Sequence, residues 1–194
     1  MTFTIANIVT LARLFLSPLF LLCILASTEW VITTGVVIFI IAAWSDWLDG
    51  YLARRYGQVS DHGVFLDPLA DKVLTTMAFI ALFLLDVIPL WMVIVVVLRD
   101  FGTTALRSIA DDKGTVMQTS QAAKAKTFLQ LVFISWTLVL YWIQQTWNTE
   151  AHRLWAHNAL YSTWTTAVML LITLLSLYTL ASYIIRNKEL FRRG

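Results

Sequence analysis

The chain has 194 residues, of which 59% are hydrophobic and 13% charged, with a net charge of +2 and a mean hydropathy of +0.73. Soluble domains are about half apolar and about a quarter charged, so this balance excludes an ordinary soluble globule and points to lipid as the solvent. Cys23 is the only cysteine, which excludes an intrachain disulfide.

Six stretches are long and apolar enough to predict spanning helices: 6–27, 31–54, 65–85, 88–109, 122–145 and 159–185. The first carries Arg13 and lacks a basic segment before it, so it is expected to be a retained span rather than a cleaved signal. Without an Arg-rich transit segment, a bacterial plasma membrane is the expected location. Asp46 and Asp49 lie in the second span, and Asp67 and Asp71 open the third. The fourth holds Arg99 and Asp100, Lys124 and Lys126 open the fifth, and the sixth runs into a basic tail. The connections are short, and no repeat or low-complexity linker is visible. Continuous apolar runs satisfy their own backbone in lipid only as helices. The expected fold is therefore all-α: one polytopic domain over residues 1–194, with six transmembrane helices.

Ten of the fourteen basic residues fall at one set of helix ends: Arg54, Arg55, Arg107, Lys113, Lys124, Lys126, Arg186, Lys188, Arg192 and Arg193. Only Arg153 sits in an opposite connection. The positive-inside rule then makes both termini and the 55–64 and 110–121 connections cytoplasmic. Trp30, Trp91, Trp142, Trp147, Trp155 and Trp164 gather near the outer ends and read as an interfacial belt.

The aspartates carry the chemistry. A carboxylate at the bilayer centre costs at least about 2.5 kcal/mol, so each needs a partner or a water-filled cavity. Helical geometry sets Asp46 and Asp49 about 60° apart and Asp67 and Asp71 about 40° apart. A short 55–64 connection makes their helices adjacent and antiparallel, so the four are expected to share a pocket facing the cytoplasm. Arg54 and Lys72 are too few to neutralise four acids. Hard cations such as Mg²⁺ or Mn²⁺ suit them, and paired ions clamp phosphoryl groups. Gly50 and Ala53 leave one helix face bare for a ligand, and Arg54 stands one turn above Gly50 for phosphate or base recognition. Gly63 frees the chain to turn, and Pro68 is expected in a first helical turn, which would place Asp67 at the helix start.

The whole pattern, Asp46-x-x-Asp49-Gly50-x-x-Ala53-Arg54, eight residues, Gly63-x-x-x-Asp67-x-x-x-Asp71, resembles the signature of the CDP-alcohol phosphatidyltransferase family. The resemblance implies that Asp46, Asp49, Asp67 and Asp71 bind two metal ions, and that Asp71 deprotonates an acceptor hydroxyl. It implies a CDP site lined by Gly50, Ala53, Arg54 and Gly63, and a homodimer. Asn7-x-x-Thr10-x-x-Arg13 with Pro18, Arg99-Asp100, Leu106-Arg107 and Ala123-Lys124-x-Lys126-Thr127-x-x-Gln130 resemble the phosphatidylglycerophosphate and cardiolipin synthase branch. The residue after the first arginine is usually Glu in that branch, and Asp100 departs from this. The implied substrates are CDP-diacylglycerol and glycerol-3-phosphate, with phosphatidylglycerol as the alternative acceptor. Arg99, Arg107, Lys124 and Lys126 are the candidates for the acceptor phosphate. No nucleic-acid partner is expected. An ion or proton transporter is the rival class, but it predicts acids spread through the membrane depth or inverted repeats, and neither is visible.

Overall fold

The computed structural model describes residues 5–56, 63–112 and 121–186, with the side chains of 45–71 among those outside the description. Every element there is helical: α1 (Ile5–Ile24), α2 (Glu29–Tyr56), α3 (Gly63–Leu84), α4 (Leu90–Asp112), α5 (Gln121–Thr146), α6 (Glu150–Leu160) and α7 (Thr163–Arg186). α1 packs along both α2 and α3, which also meet each other over a shorter stretch. α4 packs on α3 and α7, and α5 on α2, α3, α6 and α7. Phe20, Phe39, Leu74, Phe79, Leu82, Val96, Ile134, Leu138 and Met169 join in one continuous core.

The outside of the bundle is as apolar as the inside. Phe15 is 73% exposed, Trp44 68%, Leu98 68% and Phe128 67%. Ala123–Thr146 and Glu150–Ile185 are long and apolar enough to cross a membrane, with only 39% and 28% of their apolar windows buried. A core helix of a soluble protein would be mostly covered, so these faces fit lipid. Leu11–Ile24, Glu29–Trp44 and Lys72–Leu84 are shorter apolar helices within the described residues.

Three boundaries differ from the sequence expectation. α3 begins at Gly63, so Pro68 falls in its second turn rather than its first. A proline there removes one backbone donor, the one that would meet the residue 64 carbonyl, and membrane helices tolerate such a loss. Most of the 146–158 connection is taken up by α6, which runs on to Leu160, a helix too polar to read as a span but one that buries Ala156 and Leu160. The last long helix therefore starts at Thr163 and not at 159. There, the Ser162 hydroxyl caps it by accepting from the Thr165 N–H at 3.3 Å.

The α3–α4 turn closes tightly. Asp86 has φ 58°, the Val87 N–H donates to the Leu82 carbonyl and the Asp86 N–H to that of Phe83, both at 2.9 Å. This is the left-handed Schellman cap, with aspartate where glycine is usual. The Tyr161 hydroxyl donates to the Leu85 carbonyl at 2.9 Å, tying the α6–α7 corner to the same turn.

Candidate active site

α2 carries Asp46, Asp49, Gly50, Ala53 and Arg54, and α3 opens on Gly63 and carries Asp67 and Asp71. Both motif halves are thus helical, on two helices in contact. The side chains of these residues lie outside the described residues, and so does the expected convergence of the four acids. Arg13, on the α1 helix that packs against both, is 2% exposed.

The basic residues of the later helices are described, and they divide. Arg99 is 8% exposed and Lys126 1%, whereas Arg107 and Lys124 are exposed. Helical register explains the split on α5: residues 124 and 126 are about 200° apart, so both cannot face inward. Arg99 and Asp100 sit midway along α4, not at its end.

Arg99 and Lys126 converge on one carboxylate. The Arg99 Nη1–H donates to Asp100 Oδ1 at 3.0 Å, and the Lys126 ammonium donates to the same oxygen. Gln130 Nε2, one turn beyond Lys126, donates to Asp100 Oδ2 at 3.3 Å. The Arg99 Nη2–H donates to Thr179 Oγ1 of α7 at 2.6 Å, while the Thr179 hydroxyl donates to the Ser176 carbonyl at 3.0 Å. Arg99 Nε has no acceptor among the described residues. Among the described residues, two cations around one carboxylate leave a positive charge over, in a place that water reaches poorly. Lys72, next after Asp71 on α3, is close enough for its charge to act on Lys126. The cluster therefore adjoins the helix that carries the second pair of aspartates.

Sequence reasoning assigned no role to Asp100, Gln130 or Thr179. The i, i+4 spacing of Lys126 and Gln130 was a usable signal for one face of α5. For Thr179, far along the chain on an apolar helix, there was none. A separate open cleft of about 540 Å³ lies among Gln144, Asn148, Arg153 and His157. It is about 27 Å along α5 from Lys126, at the other end of the bundle.

The family model for CDP-alcohol phosphatidyltransferases matches residues 3–185. The chain is 39% identical over 145 residues to a CDP-diacylglycerol–glycerol-3-phosphate 3-phosphatidyltransferase of Bacillus subtilis (strain 168), covering 69% of this chain and 75% of that one. A probable phosphatidylglycerophosphate synthase of Mycobacterium tuberculosis (strain ATCC 25618 / H37Rv) is 40% identical over 133 residues, 67% of this chain and 63% of the relative. The Escherichia coli (strain K12) CDP-diacylglycerol–glycerol-3-phosphate 3-phosphatidyltransferase is 34% identical over 153 residues, 76% of this chain and 81% of its own.

Proposed function

The chain belongs to the CDP-alcohol phosphatidyltransferase family, and on that footing we propose that it transfers the phosphatidyl group of CDP-diacylglycerol to glycerol-3-phosphate, giving phosphatidylglycerophosphate and CMP. The relatives' names support this reaction. The observation that carries the acceptor assignment is the buried pair Arg99 and Lys126, whose charge exceeds that of Asp100 by one. A phosphomonoester acceptor needs concentrated positive charge beside its hydroxyl, and a neutral alcohol such as inositol does not. Arginine suits bidentate phosphate recognition and lysine point-charge attraction.

The family is generally dependent on a divalent metal, and the donor set fits one. Asp46, Asp49, Asp67 and Asp71 provide only hard carboxylate oxygens, from two helices in contact. In this reading they hold two ions, Mg²⁺ or Mn²⁺, which when bound stabilise charge on the phosphoryl oxygens and the leaving group. Asp71 takes the proton of the acceptor hydroxyl. That oxygen forms a bond to the lipid-linked β-phosphorus of CDP-diacylglycerol as the bond to CMP breaks. Gly50 and Ala53 leave room for the nucleotide, with Arg54 and Gly63 lining the same site. Arg99 and Lys126 grip the acceptor phosphate. Arg107 and Lys124, exposed on the same two helices, attract the acceptor by charge. The reading also includes six spans with both termini cytoplasmic in a bacterial plasma membrane, and a homodimer.

The test is CMP release by purified protein given CDP-diacylglycerol and a panel of acceptors. Turnover with glycerol-3-phosphate, and little with inositol or phosphatidylglycerol, is the expected result. Cardiolipin formed from phosphatidylglycerol, with glycerol-3-phosphate inactive, would overturn the acceptor while leaving the chemistry.

A further inference from the structure

The mechanism above gives Asp100 no part, yet the cationic cluster is built around it. Lys126 has a long flexible side chain that would ordinarily carry its charge to solvent, and here it is 1% exposed. Arg99 and Lys126 also repel each other. One carboxylate oxygen accepts from both, and the other from Gln130. Thr179 then fixes the far edge of the guanidinium. An ammonium has three N–H groups and Asp100 takes one, while Arg99 Nε still lacks an acceptor among the described residues. The cations are thereby located without using up their capacity to donate.

We propose that Asp100 is the positioning residue of the acceptor-phosphate site, holding Arg99 on α4 and Lys126 on α5 at the spacing a phosphomonoester requires, with Thr179 of α7 as its second anchor. The proposal rests on the acceptor reading above and deepens it. Asp100 touches neither the reacting phosphorus nor the hydroxyl and acts through the two cations. A second role for the same carboxylate makes the opposite prediction. If Asp100 served only as a counter-ion competing with the phosphate, its removal would tighten acceptor binding.

The experiment compares wild type with Asp100→Asn, Asp100→Glu and Thr179→Val in detergent, measuring CMP release with each substrate varied in turn. The KM for glycerol-3-phosphate should rise at least about 10-fold in Asp100→Asn, the scale of one lost charge-assisted contact. The KM for CDP-diacylglycerol should stay within about twofold. Asp100→Glu, which keeps the charge, should recover most of that loss. Thr179→Val keeps the shape but loses the hydroxyl that accepts from Arg99, and should raise the acceptor KM by about threefold or more while the KM for CDP-diacylglycerol stays within about twofold. An unchanged or lowered acceptor KM in Asp100→Asn, or an equal rise in both KM values, overturns the proposal. If Asp100→Asn does not fold, Thr179→Val decides: an unshifted acceptor KM overturns it. A wild-type protein inactive with glycerol-3-phosphate sinks the acceptor reading itself, which is a different result from an active enzyme whose variants do not shift.

Discussion

Two glycines on different helices allow the packing of the bundle to be tested with one chemical change. A Cβ added at Gly35 of α2 would stand 2.9 Å from Cys23 Cβ and 3.1 Å from Ile24 Cδ1, both on α1 or at its end. Ordinary carbon contacts are about 3.5–4.0 Å, so α1 and α2 must separate by several tenths of an ångström. A Cβ at Gly102 of α4 meets nothing within 4 Å among the described residues. Replacing glycine by alanine inside a helix favours folding by about 0.8–1.0 kcal/mol, and this term is common to both sites. Overpacking costs about 1–3 kcal/mol and applies only at Gly35. Gly102→Ala should therefore gain about 1 kcal/mol, and Gly35→Ala should lose between about 0 and 2 kcal/mol. For a chain of this size 1 kcal/mol moves the melting temperature by about 2–4 °C. Gly102→Ala should melt above the wild type in detergent and Gly35→Ala at or below it, separated by about 2–12 °C. A Gly35→Ala protein that melts at or above Gly102→Ala refutes the close approach of α1 to α2.

Chelation should abolish CMP release, with Mg²⁺ or Mn²⁺ restoring it, and Asp71→Asn, which on the proposed mechanism removes both a ligand and the base, should lose at least about 10²-fold in turnover. Near-normal turnover in that variant would show that the proton goes elsewhere. Reporter fusions after Gly194 and within 146–158 should lie on opposite sides of the membrane, and agreement between them would sink the six-span topology. The Trp142 Nε1–H donates to Thr33 Oγ1 at 3.0 Å, joining α5 to α2. Thr33→Val should cost about 0.5–1.5 kcal/mol, read as a lower melting temperature with both KM values unchanged; an unaltered melt would mean the bond contributes nothing.

The helical character of the chain was legible because lipid removes the alternatives: a long apolar run has no other way to pair its backbone. Helix ends were less legible. α6 was missed since Ala156 and Leu160 are its only buried residues, too few for a hydrophobic run to reveal. The proline rule misplaced the start of α3, because a first-turn preference does not prevent proline from sitting deeper in a helix. Among the cationic candidates the sequence could name residue types but not facing. Lys124 and Lys126 look equivalent as neighbours in a motif, and only the helical register separates the exposed one from the buried one. In the sequence Asp100 is only a departure from a pattern, whereas its position beside Arg99, Lys126 and Gln130 shows what it binds. That required α7 and α5 to be placed around α4, which is information about tertiary packing and not about local propensity.

The buried charges are hard to explain by stability alone. An ion pair in a low-dielectric interior gains little over a well-packed apolar pair of the same size, and apolar replacement is often neutral or stabilising. Here the bundle already exposes phenylalanine, leucine and tryptophan to its surroundings, so apolar residues would fit the interior at least as well. A cluster with excess positive charge is costlier still, since one cation lacks a full counter-charge within it. Stability alone would therefore favour losing Arg99, Lys126 and Asp100 together. Under the proposed reaction a phosphate that arrives in each turnover would reverse that balance, because it would bring the missing negative charge and the remaining acceptor oxygens. In the proposed site the same logic applies in mirror image to the four aspartates of α2 and α3, which metal ions would neutralise. Two such opposite charge imbalances are what the proposed reaction, joining an anionic acceptor to a metal-held diphosphate, requires.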